Sequence, residues 1–114
     1  MDWAEFIAAC IPAPRTITVE AYRGSGGFGD VYAPAAQVTP CVVEDTNRTV
    51  TVQTGDAEGQ ERLSSTTVYA PPNAVIPAGS RVTLPTGRTA HVLAVSYLDA
   101  HGHPLPEHWE LSLE

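Results

Sequence analysis

Apolar and polar residues alternate along most of this chain, after a short opening stretch with a different period. Trp3, Phe6, Ile7 and Cys10 fall at helical spacing and predict a short helix within residues 1–11 with one apolar face. Asp2 is placed to cap it, with Glu5 three positions on, while Pro12 and Pro14 stop it. A helix this short is marginal alone, so its apolar face has to dock on something. From Arg15 the period is two. Ile17, Val19 and Ala21 alternate with Thr16, Thr18 and Glu20, the pattern of a half-buried strand. Further strands are predicted at 38–44, around Val50 and Val52, and at 62–69, 81–84, 89–99 and 109–113. The 62–69 run is β-rich but polar and reads as an edge, or as a crossing between sheet halves. The 89–99 run is apolar on both faces at Val92, Leu93, Ala94 and Val95, which reads as a central strand. Glycine, proline and asparagine clusters separate these runs, and Gly87 in Pro85-Thr86-Gly87-Arg88 is placed for positive φ in a hairpin turn. Regular strands with regular turns predict one all-β domain over 1–114, a small barrel or sandwich with a short N-terminal helix.

One connection is out of proportion. Residues 23–34 form a glycine-rich stretch between strand-like segments, and a loop this long in a small β domain is usually functional or disordered. Phe28 and Tyr32 argue against a plain spacer, because a solvated linker gains nothing from large rings. Gly24-Ser25-Gly26-Gly27-Phe28-Gly29 matches the dinucleotide fingerprint letter by letter. That fingerprint needs a helix to open at once, and Val31-Tyr32-Ala33-Pro34 has no helical period, so a nucleotide site is not expected.

Composition narrows the function classes. The chain has 114 residues, 43% of them hydrophobic, and no apolar run long enough to span a membrane as a helix. Its start lacks the basic region of a signal peptide, so a cytosolic protein is expected. Thirteen acids face six arginines and no lysine, a net charge of −7, and six dispersed arginines make no phosphate-binding patch. Cys10 and Cys41 are expected to be free thiols, with Cys41 buried beside Val43 as a small hydrophobe.

The polar clusters carry little catalysis. His101, His103 and His108, with His91, invite a metal site, but His101-Gly102-His103-Pro104 is a turn lacking an obvious carboxylate second shell. Ser64-Ser65-Thr66-Thr67 has hydroxyls without a neighbouring base. Asp56, Glu58 and Glu61 fail the calcium-loop spacing. No enzyme activity, metal or cofactor is expected.

The order of the elements is more informative than any single one. It runs from the loop at 24–34 through Pro40-Cys41-Val42-Val43-Glu44 and Arg48-Thr49-Val50 to Ser65-Thr66-Thr67-Val68-Tyr69-Ala70-Pro71. Ile76-Pro77-Ala78-Gly79-Ser80-Arg81-Val82, Leu84-Pro85-Thr86-Gly87-Arg88, the 92–99 strand and His108-Trp109-Glu110-Leu111 follow. In this order the chain resembles the head-closure, or head-to-tail stopper, proteins of long-tailed phages and prophages, over nearly its whole length from Arg15. The resemblance implies a non-enzymatic β-barrel subunit that joins copies of itself in a ring at the virion neck, after assembly in the host cytoplasm. Its implied partners are the adaptor of the portal complex and a tail terminator or tail tube protein, with DNA only a transient channel contact and no membrane. The channel loop would be Arg23, Gly24, Ser25, Gly26, Gly27, Phe28, Gly29, Asp30, Val31 and Tyr32. Assembly contacts are expected from the helix face of Trp3, Phe6 and Ile7 and from Arg62, Ser65, Thr67 and Tyr69. A free-standing β-barrel that binds a carbohydrate or a peptide is the alternative.

Overall fold

The one helix among the described residues, α1 (Trp3–Cys10), starts where its cap is placed: extended Asp2 accepts the Glu5 amide on its side chain at 2.8 Å. The computed structural model describes residues 2–27, 29–53, 59–102 and 105–114. Every regular element described after α1 is a strand: β1 (Arg15–Glu20), β2 (Tyr22–Gly26), β3 (Gly29–Tyr32), β4 (Ala36–Glu44) and β5 (Arg48–Gln53). Then come β6 (Gly59–Ser64), β7 (Thr66–Ala70), β8 (Arg81–Thr83), β9 (Thr89–Leu98) and β10 (His108–Leu113). Six of them close a barrel in the order β1-β4-β7-β10-β9-β8, with every neighbouring pair antiparallel. The pairs β2–β3 and β5–β6 stay outside it as separate two-stranded hairpins.

The alternation in the sequence becomes the barrel's inside and outside. Ile17 and Val19, Val68 and Ala70, Ala90 and Val92, and Leu111 and Leu113 are each two apart, and all point into one buried cluster. Ile76 and Ala74, from the connection before β8, pack on the same cluster, so side chains fill the interior.

Two irregularities explain where strict alternation fails. Along β9–β10 the register steps from Ala94↔Ser112 to Val92↔Leu113, which leaves Leu93 as an extra residue on β9. The bulge changes the parity, so Val92 and Val95 both pack on the core although they are three apart. That is why 92–95 is apolar at every position. β9 is the longest strand, at ten residues, but a closed ring has no central strand, and Tyr97 and Leu98 near its end are exposed. A similar shift between β1 and β4 puts an extra residue on β4, so Val38 and Cys41 both reach the core.

The 62–69 run is two strands, not one. Residues up to Ser64 finish the β5–β6 hairpin, and from Thr66 the chain is a barrel stave between β4 and β10, not a sheet edge. Its polarity misleads because its hydroxyls are bonded inside the fold. The Ser64 hydroxyl lies 2.7 Å from the Leu113 carbonyl, and Thr66 donates to Asp45 at 2.9 Å and is also reached by Arg88.

Both cysteines are free, Cys10 exposed and Cys41 fully buried. Burial pushes the Cys41 thiol up to about 12, so it stays neutral at ordinary pH. A thiol reagent should therefore titrate one cysteine in the folded protein and a second only in denaturant. Two rapidly reacting thiols in the native state would contradict this packing.

Candidate interaction surfaces

The glycine-rich segment is a hairpin, not a long loop. β2 and β3 pair at Tyr22↔Tyr32, Ser25↔Asp30 and Gly26↔Gly29, with an extra residue on β2 between the first two pairs. Gly24, inside that bulge, has φ +108°, which explains the glycine there. The base of the hairpin is tied down. The Tyr22 and Tyr32 rings meet edge to face at 5.9 Å, and the Arg81 guanidinium sits 4.1 Å over Tyr32 while pairing with Glu20 at 2.7 Å. The Tyr22 amide donates to the Ser80 hydroxyl at 3.0 Å, and the Tyr22 ring lies where a side chain on Gly79 would be. Farther out, the Tyr22 and Ser25 hydroxyls are 3.0 Å apart and Ser25 donates to Asp30 at 2.9 Å. Glycines that leave a lone loop unfixed are here held in a ladder. Arg23, Gly26, Gly27, Asp30 and half-exposed Val31 lie on this arm, and Phe28 lies outside the described residues.

The second surface is built around α1. Trp3 and Ile7 are buried, so the apolar helix face expected to meet other subunits is already used by this chain's own barrel. The Trp3 indole donates to the Pro40 carbonyl of β4 at 2.8 Å, and its ring lies 5.5 Å from Phe6 and 5.0 Å from His108 of β10. His108 in turn meets Tyr69 of β7 edge-on at 5.6 Å. What stays open is an apolar groove of about 260 Å³ beside the helix, lined by Trp3, Phe6, Ile11, Val42, Tyr69 and His108. A second hollow of about 310 Å³, lined by Asp2, Trp3, Pro72, Leu105 and Glu107, shares Trp3 with the first.

The remaining expected contacts divide by burial. Thr67 is fully buried and cannot offer a surface, and Ser65 is half-buried with its hydroxyl on the Glu114 carbonyl at 2.6 Å. Arg62 is exposed on β6, beside Leu63, which is 63% exposed. Phe6, Ser65, Tyr69 and Arg62 of the expected set keep some exposed surface, and Trp3, Ile7 and Thr67 are buried.

The histidines have separate surroundings. His91 bonds to Glu114 at 2.6 Å, a contact that holds the Glu114 carboxyl below its ordinary value. His108 packs between Trp3 and Tyr69, His101 sits exposed in a turn at φ +52°, and His103 lies outside the described residues. Among the described residues no three His, Cys, Asp or Glu side chains converge on a common point. Asp56 and Glu58 lie outside the described residues.

Sequence reasoning missed Val42, Ile11 and His108 as groove residues, since three different elements bring them together. It also missed the Tyr22–Tyr32 pair, although two tyrosines flanking a glycine-rich turn are a cross-strand signal. No family model, curated protein or solved structure matches the chain.

Proposed function

We propose that this chain is a non-enzymatic structural subunit of a phage neck, one that joins copies of itself in a ring closing the DNA-filled head. The observation that carries the reading is the pair of two-stranded hairpins that are not part of the small closed barrel, in a molecule measuring 45 × 29 × 25 Å. A six-stranded barrel with a filled interior has no need of such arms for its own stability, whereas a subunit that must reach its neighbours does. The anchored base at Tyr22, Tyr32 and Arg81 suits β2–β3 to hold a fixed direction toward a channel. The net charge of −7 disfavours adhesion to passing DNA. The resemblance of the order of elements in the sequence to that of head-closure proteins supports the same reading.

Interrupting this gene in the phage or prophage that carries it tests the proposal. Electron microscopy of the lysate should show heads without tails, many emptied of DNA. Normal tailed virions would refute a neck role.

A further inference from the structure

We infer that the hollow shared by the β2–β3 hairpin and β9 is a binding site for one neutral pyranose sugar, held by Tyr22, Tyr32, Asp30 and His91. The hollow measures about 360 Å³. Tyr22, Asp30 and Tyr32 of the hairpin line it, together with Gly79 before β8 and His91 and Leu93 of β9. Ligand sites run from about 300 to 1,000 Å³, so this one has room for a single sugar ring and not for a chain of them. The neck reading assigns this hollow nothing, and the site does not depend on it.

The walls are fixed before any ligand arrives. Tyr22 is seated against Gly79, where a Cβ would lie only 3.2 Å from the tyrosine ring. The Ser25 hydroxyl gives its one proton to Asp30 at 2.9 Å, so the Tyr22 hydroxyl, 3.0 Å away, is the donor to Ser25. This relay sets the Asp30 carboxylate relative to the Tyr22 ring and uses one of its about four acceptor positions. On β9, Glu114 holds Nδ1 of His91 at 2.6 Å, which orients the imidazole and makes Nε2 its second polar atom. Leu93 is the extra residue of the β9 bulge, and bulges recur beside binding sites, where they re-aim a side chain. A site ordered in this way loses little entropy on binding.

The chemistry selects a neutral polyol. An anion would meet the Asp30 carboxylate, and a cation would meet Arg81, whose guanidinium already stands 4.1 Å over the Tyr32 ring. A flat base gains most between parallel rings, whereas Tyr22 and Tyr32 meet edge to face at 63° with centroids 5.9 Å apart. A pyranose has apolar C–H faces that suit a tyrosine ring. Its rim of hydroxyls donates to a carboxylate and exchanges hydrogen bonds with an imidazole or a phenol. The hollow carries all of these groups.

Titrating the isotope-labelled full chain with methyl β-glucoside, methyl β-galactoside and N-acetylglucosamine, followed by amide chemical shifts, tests the site. At least one sugar should saturate with an affinity in roughly the millimolar range. It should move the amides of 22, 30–32, 78–79 and 91–93 together. Cyclohexanol offers an apolar ring almost without the hydroxyl rim and should bind about tenfold more weakly or worse. Asp30→Ala and His91→Ala change exposed residues and should melt close to the wild type. Each should weaken the sugar by about tenfold, the loss of one hydrogen-bonding group. No shift with any of the three sugars at about 50 mM would overturn the site. So would shifts scattered over other surfaces, an equal response to cyclohexanol, or a folded Asp30→Ala that binds as the wild type does.

Discussion

Replacing Leu111 with alanine should lower the unfolding free energy by about 2–5 kcal/mol, the cost of truncating a fully buried leucine in a core that cannot collapse. Leu111 is 0% exposed and pairs with Val68 on β7 and Val95 on β9, so hydrogen-bonded strands hold both of its sides apart. A closed ring limits relaxation further, because moving β10 inward strains every other pair. Domains of this size have about 5–15 kcal/mol in total, so the variant loses a large fraction of its stability. Its melting temperature should fall by roughly ten degrees or more. Leu63→Ala is the matched control. The same atoms are removed from a residue 63% exposed, and the change should stay within about 0.5 kcal/mol. Urea melts with unchanged slope would assign the difference to the native core. Equal effects at the two sites would contradict the inside–outside assignment of β6 and β10.

The contrast between these leucines shows what the sequence could and could not reveal. Leu111 was legible: it sits in strict alternation with Leu113, and alternation is what the pleat imposes on a strand with one buried face. Asp2 as a cap was legible too, as was Cys41 as a buried thiol, because each depends on near neighbours alone. Places where an extra residue changes parity were not. Leu93 reads as the middle of a two-faced apolar strand until the β9–β10 register shows that it is the bulge. The 62–69 run was misread because hydropathy scores a hydroxyl as polar whether or not its partner lies inside the fold, and the partner of Ser64 is 49 residues away. The glycine stretch failed for a related reason. Glycines permit a loop, but the ladder that orders them is anchored by Ser80 and Arg81, which lie far along the chain from Tyr22 and Tyr32. The groove was half legible. Phe6 and Tyr69 were expected at a contact surface, while the side of α1 holding Trp3 and Ile7 was assigned outward when it faces inward.

Trp3→Ala should undock α1 and leave the barrel standing. The indole is 4% exposed, donates to the Pro40 carbonyl at 2.8 Å and touches the rings of Phe6 and His108. Removing a buried tryptophan side chain costs about 3–5 kcal/mol where nothing limits the loss. Here something does, because α1 has only eight residues and cannot persist in water without its docking face. Once the helix detaches no further contact is at stake, and the buried core of the barrel contains no residue of α1. The loss should stop at the docking energy of the helix. Amides of α1 should then exchange freely with solvent while those of β7, β9 and β10 stay protected, and far-UV circular dichroism should lose its small helical contribution. Trp3→Phe separates packing from hydrogen bonding. It keeps a ring on the barrel wall but leaves the part-buried Pro40 carbonyl without its donor, at a cost of about 1–3 kcal/mol. Helix and groove should survive in that variant, whereas the alanine variant should lose both. Cooperative loss of protection across the whole chain in Trp3→Ala would mean that α1 belongs to the folding core and that the barrel does not stand without it.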